Sequence, residues 1–146
     1  MDPKQLQQIL REQIPLTRAM GIEVAECQPL RIVLQAPLHN NINHKQTAFG
    51  GSLYSLAVLS GWCLLHVQLA QAREHGHIVI QQSQVSYLQP VSSRIVACCE
   101  ADSDEVLSPF LQRYRKKHRA RIALTSRIEH AGETALVFEG KYVVHG

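Results

Sequence analysis

Between Lys45 and Arg73 the chain carries no Asp, Glu, Lys or Arg. Within that span Leu53, Leu56, Ala57, Val58, Leu59, Trp62, Cys63, Leu64, Leu65, Val67 and Leu69 cover nearly the whole circumference of a helix. A helix that is apolar on every side lies either in a membrane or in the middle of a domain. Tyr54, Ser55, Ser60, His66 and Gln68 interrupt the apolar surface, and the flanking sequence is rich in strands that need something to pack against. The expectation is a buried central helix over residues 52–73, and no membrane span.

The rest of the chain supplies the strands. Residues 3–13 read as a short amphipathic helix with Leu6, Ile9 and Leu10 on one face, and Met20-Gly21 punctuates the chain after it. Extended runs follow at 22–27 and 30–36, divided by Gln28-Pro29. Residues 37–51, with Pro, His, Asn and Gly, read as a loop running into the central helix. Beyond His75-Gly76-His77 the apolar period drops to two, and strands are expected at 78–88, 94–101, 121–128 and 134–144. In the third of these, Ile122, Leu124, Ser126 and Ile128 form one buried face. A helical insert is expected at about 105–117. Runs of strands around a lone apolar helix favour the α+β class, with an antiparallel sheet wrapped round the helix, in a single domain over residues 1–146.

Composition narrows the function. With 45% apolar and 18% charged residues the chain is globular. The net charge of +3 is mild, and no Lys/Arg stripe runs the length of the chain, which argues against a nucleic-acid partner. Cys27, Cys63, Cys98 and Cys99 make no C-x-x-C pair, and adjacent Cys98 and Cys99 point to opposite faces of a strand. That is neither a zinc spacing nor a disulfide framework, so a reducing, cytoplasmic setting is expected. The first residues lack the apolar core of a signal peptide. His75-Gly76-His77 has no third ligand at an obvious spacing, so no metal or other cofactor is called for, and Gly76 is expected to cap the helix.

The segment Asn43-His44-Lys45-Gln46-Thr47-Ala48-Phe49-Gly50-Gly51-Ser52-Leu53-Tyr54 resembles the loop-to-helix signature of hotdog thioesterases of the phenylacetyl-CoA (PaaI) type. There an Asn precedes His-Gly-Gly, and the two glycines open the central helix. Val85-Ser86-Tyr87-Leu88-Gln89-Pro90-Val91 looks like the Tyr-x-x-Pro strand end of the same fold. Phe49-Gly50-Gly51-Ser52-Leu53-Tyr54 with Gly61-Trp62 is closer to the YiiD C-terminal group, classed with the thioesterases. Two positions depart from the PaaI pattern: Phe49 stands where that signature has His, and Val58 stands where its helix carries the catalytic carboxylate.

The resemblance implies an acyl thioester of coenzyme A or of an acyl carrier protein as substrate. It also implies a homodimer or dimer of dimers, and an oxyanion hole at the helix start. The backbone N–H groups of Gly50 and Gly51 are suited to that hole, because the first amides of a helix lack internal partners and carry partial positive charge. Alternatively the glycines only allow tight packing. The Asn43 amide could donate to the thioester oxygen or simply shape a turn. His44 is a possible general base or a solvated loop residue. Phe49, Ser52, Tyr54 and Val58 would line the pocket. The basic cluster with Arg113, Lys116 and Lys117 is either a solvated helix end or a steering patch for phosphates or an acidic carrier. Three functions remain open: thioester hydrolysis, decarboxylation of a malonyl thioester through a stabilised enolate, and acyl-thioester binding without turnover.

Overall fold

The computed structural model describes all 146 residues. Helix α1, Pro3–Gln13, starts at a reciprocal cap in which the Asp2 carboxylate accepts from the Gln5 N–H and the Gln5 amide oxygen accepts from the Asp2 N–H, each at 2.9 Å. Its Leu6 and Leu10 are buried. A five-residue helix α2, Leu16–Met20, follows and ends at Gly21 in the left-handed conformation. Strands β1 (Glu23–Gln28) and β2 (Arg31–Ala36) form a hairpin. The long helix α3 spans Gly50–Gln71. After it come β3 (His77–Tyr87), β4 (Ile95–Glu100), helix α4 (Asp104–Lys117), β5 (Arg119–His130) and β6 (Glu133–His145).

The six strands form one antiparallel sheet in the order β1-β2-β4-β5-β6-β3. Helix α3 lies across it and touches β2, β3, β4, β5 and β6. This is the hotdog arrangement, with the apolar helix as its filling. Leu56, Ala57, Cys63, Leu64 and Leu65 of α3 are fully buried, and so is the expected face of β5, down to Ser126. Ser126 meets Ser60 of α3 at 2.8 Å, so neither hydroxyl is stranded in the core. Where α3 comes closest to β6, Gly61 sits under Tyr142. A Cβ there would run into that ring, and the Tyr142 hydroxyl donates to the Val58 carbonyl at 2.7 Å.

Two features deviate from all-round burial. Tyr54, Val58, Trp62 and His66 recur every fourth residue along α3 and remain half-buried. Beside that stripe runs β3, the edge of the sheet, with Val79 46% and Ile80 37% exposed.

Several sequence expectations need adjusting. The central helix begins two residues earlier than expected, so both glycines are helical. It also ends earlier, at Gln71, with Arg73 in the left-handed region at φ 58°. Gly76 is therefore not its cap. It leaves room for the Tyr114 ring, whose hydroxyl donates to the His75 carbonyl. Helix α2 was not anticipated, because five residues between Pro15 and Gly21 are too few to show a period.

Candidate active site at the start of the central helix

The loop before α3 is held by its own side chains. The buried Asn41 amide donates to the carbonyls of Met20 (2.9 Å) and Pro37 (2.8 Å), while the Asn41 carbonyl accepts from the Phe49 N–H at 2.7 Å. Ile42 bridges to Ala48, and the Ala48 N–H donates to the Val91 carbonyl at 2.8 Å. Asn43 sits at the turn. Its Oδ1 accepts from the N–H groups of Lys45 (2.8 Å) and Thr47 (3.1 Å), and its Nδ2 donates to Thr47 Oγ1 at 2.9 Å. The amide is thus engaged within the loop, in the turn-forming arrangement available to Asn. His44 is exposed at the loop tip and makes no hydrogen bond.

This scaffold aims the start of α3 outward. Phe49 is the N-cap and offers no side-chain acceptor, and its carbonyl takes the N–H groups of Ser52 (3.0 Å) and Leu53 (3.1 Å). Neither Gly50 nor Gly51 donates its N–H to any acceptor in the chain. The exposed start of α3 therefore carries two adjacent free donors with the positive end of the helix dipole behind them. Two aromatic rings border it. Phe49, 57% exposed, folds over Gly51, where a Cβ would collide with it. Tyr87 comes from the end of β3, and its hydroxyl donates to the Gly50 carbonyl at 3.0 Å. Burial and the nearby Tyr54 push the Tyr87 phenol above its ordinary pKa, so it stays a neutral donor. Tyr54 in turn pairs with Ser83 of β3 at 2.5 Å. No carboxylate is among the side chains pressed on the two glycines.

Further along α3, towards its C-terminal end, a groove of about 1060 Å³ follows the half-buried stripe, lined by Val58, Trp62, His66 and Arg73 and by His77 and Ile78 of β3. Trp62 and His66 stack with centroids 5.0 Å apart. Burial holds the His66 imidazole below its ordinary pKa.

The sequence-derived candidates therefore divide into two groups. Phe49, Gly50, Gly51, Ser52 and Tyr54 are gathered at the helix start, and Val58 lies one turn beyond Tyr54. The basic cluster is not beside them within the protomer. Helix α4 docks its last turn at the opposite end of α3, where Arg115 pairs with Glu74 at 3.1 Å and also donates to the Ala72 carbonyl. Arg113 reaches the Arg121 carbonyl, and Lys116 and Lys117 are exposed. At 1.5 Å per residue the 22 residues of α3 separate the two ends by about 33 Å. Tyr87 was not singled out from the sequence as a site residue. Its Tyr-x-x-Pro context was the available signal, but it indicated a strand end rather than a partner for the helix.

Comparison with known proteins gives the family and the fold. Residues 3–146 match the family described as "Putative thioesterase (yiiD_Cterm)". A protein of unknown function from Chlorobaculum tepidum superposes with a TM-score of 0.93 at 31% identity, over 99% of this chain and 96% of that one. A "putative thioesterase" from Shewanella oneidensis does so at 0.85 and 25% identity, over 99% and 97%. The PaaI protein of the E. coli phenylacetic acid degradation operon, at 16% identity and a TM-score of 0.68, shares the fold over 99% of this chain and 94% of that one. Matched over residues 3–146, the chain belongs to the yiiD C-terminal thioesterase family.

Proposed function

We propose that the protein is an acyl-thioester hydrolase that takes coenzyme A or acyl-carrier-protein thioesters and polarises the thioester carbonyl with the free N–H groups of Gly50 and Gly51. The observation that carries this is the pair of unpartnered donors at the exposed start of a buried 22-residue helix. Water attacks the carbonyl carbon, the oxyanion is held by the two N–H groups, the C–S bond breaks, and the thiolate takes a proton. One such donor typically contributes about 2.7–4 kcal/mol to the transition state. Phe49 and Tyr87 flank the carbonyl. Asn43 supports the site by fixing the loop that presents Phe49, and Ser52, Tyr54 and Val58 line the start of the acyl channel.

A specific observation favours a second reaction. The groups nearest the two glycines are aromatic, and Val58 occupies the position of the PaaI-type carboxylate, which leaves the exposed His44 as the protomer's candidate base for activating water. Decarboxylation of a malonyl thioester needs none. The bond from Cα to the carboxylate breaks, CO2 leaves, the same two N–H groups hold the enolate, and a proton from water gives the acetyl thioester.

A second copy of the chain is the natural cover for the β3 edge, which leaves backbone donors and acceptors and the side chains of Val79 and Ile80 open to solvent. We take the working form to be this homodimer. Mass spectrometry of products from malonyl-CoA and a series of unbranched acyl-CoAs tests the function. Free acid with free thiol establishes hydrolysis, whereas acetyl-CoA with CO2 establishes decarboxylation. Intact substrates throughout would refute both and leave a binding module.

A further inference from the structure

The two elements that meet at the helix start carry no charge. One run without Asp, Glu, Lys or Arg lies between Lys45 and Arg73 and holds α3; another lies between Glu74 and Arg94 and holds all of β3. An ionised group on an acyl chain between them would meet no counter-ion from either element, and an unpaired charge away from water is costly. What the two elements offer instead is hydroxyl groups. Ser83 and Tyr87 stand four residues apart on β3 and so share a face of the strand. The Tyr87 hydroxyl donates to the Gly50 carbonyl at 3.0 Å, and Ser83 Oγ lies 2.5 Å from the Tyr54 hydroxyl. Tyr54 is one turn along α3 from Gly50. A helical side chain covers the turn before its own Cα, which carries the Tyr54 ring back towards the glycines.

That ring is fixed from behind. It meets the buried Phe138 edge to face, with centroids 5.7 Å apart. The Phe138 ring in turn lies over Gly140, where a Cβ would collide with it, and Gly140 is the cross-strand neighbour of Ser83 on β6. Two hydroxyls in one contact have two protons and use only one of them. The phenol is the stronger acid, so it donates, and the Ser83 proton is left with no acceptor in the chain. A hydroxyl that accepts a hydrogen bond is polarised into a better donor.

We infer that the Ser83 hydroxyl, oriented by Tyr54, binds an uncharged oxygen on the third carbon of the acyl group, which makes 3-hydroxyacyl or 3-oxoacyl thioesters the preferred substrates over unsubstituted or carboxylated ones. This rests on the thioester assignment above and deepens it. Gly50 and Tyr54 are separated by about 6 Å along the helix axis. A carbonyl oxygen and a C3 oxygen span that interval with a hydrogen bond of about 3 Å at each end. A neutral oxygen suits a donor set in charge-free surroundings, where a carboxylate would be left unpaired.

The test uses coenzyme A amides, in which NH replaces the thioester sulfur so that neither hydrolysis nor decarboxylation occurs. Butyryl, 3-hydroxybutyryl, 3-oxobutyryl and malonyl amides are titrated by calorimetry into the full-length protein. Wild type should bind one of the two C3-oxygen compounds at least about ten-fold tighter than the butyryl and malonyl amides, the effect of one well-placed hydrogen bond. Which of the two binds tighter tells a hydroxyl from a ketone. Ser83→Ala should erase the preference, Ser83→Thr should keep it, and Tyr54→Phe should reduce it. The readout is a ratio of two Kd values on one protein, which a general loosening of the contact between α3 and β3 would leave unmoved. A Ser83→Ala protein with the wild-type ratio would overturn the inference. So would a wild type that binds the butyryl amide as tightly as both C3-oxygen compounds, or the malonyl amide tightest of all; in each case the thioester site stands. Failure of wild type to bind any of the four amides would overturn both.

Discussion

Replacing Gly50 with proline would remove one donor from the proposed oxyanion site while leaving the helix that carries it. Proline is tolerated at the first position of a helix, where its missing N–H bonds nothing, and here the Gly50 N–H has no acceptor in the chain. The residue before a proline must be extended, and Phe49 already sits at φ −63°, ψ 132°. An added Cβ at Gly50 lies 3.5 Å from the Tyr87 ring, an ordinary contact. A compatible proline stabilises by about 0.4–1 kcal/mol through the unfolded chain, so the melting temperature should hold or rise by a few degrees. Loss of one oxyanion donor removes about 2.7–4 kcal/mol of transition-state stabilisation, a fall of about 10²–10³ in turnover. Steady-state release of free thiol or of CO2, whichever product wild type makes, gives the rate, and calorimetry checks the fold. Gly50→Ala, which keeps the N–H, should lose far less. A folded Gly50→Pro protein with kcat/KM within about three-fold of wild type would refute the assignment of this N–H to the transition state.

Other consequences follow from the core and the groove. Tyr142→Phe removes the bond to the Val58 carbonyl and should destabilise by about 1 kcal/mol in urea unfolding; Gly61→Ala forces a methyl against the same ring and should cost about 1–3 kcal/mol. The double variant should fall short of the sum, because both changes act at one contact. Burial lowers the His66 pKa in the folded chain, so between the folded and unfolded values the folded state binds fewer protons. Its stability contribution is complete above pH ~6.5 and declines as pH falls through the folded value. The melting temperature of wild type should therefore drop on acidification more steeply than that of His66→Gln, and parallel curves would contradict it. Burial pushes the Cys63 thiol up and Cys99 to about 11, while Cys27 and Cys98 are only half-buried. In native protein iodoacetamide should modify Cys27 and Cys98 before Cys63 and Cys99, read by peptide mass spectrometry, with all four labelled after unfolding.

How far the sequence went depended on whether a signal was local. The charge-free run from 46 to 72 could form little other than a buried helix, and the alternation of Ile122, Leu124, Ser126 and Ile128 marked the inner face of β5 correctly. Alternation does not say which strand ends up at the edge. His77–Tyr87 reads as a strand like the others, and only the sheet order exposes it. The two glycines were legible as a helix start because their chemistry lies in the backbone. For Asn43 the sequence allowed a turn or a ligand contact, and the loop bonds it makes to Lys45 and Thr47 depend on a turn geometry that spacing alone does not show. The basic cluster was visible as charge, but its position was not. That position depends on Arg115 meeting Glu74 and Tyr114 meeting His75, contacts between residues about forty positions apart.

The central claim is that the Gly50 and Gly51 N–H groups polarise a bound carbonyl. Isotope-edited infrared difference spectroscopy of a coenzyme A ketone, in which CH2 replaces the thioester sulfur and the carbonyl carries 13C, measures this directly. The account predicts a carbonyl stretch shifted to lower frequency on binding to wild type, with most of that shift lost in Gly50→Pro. A bound carbonyl whose frequency matches that in water, or one unchanged by the proline, would contradict it.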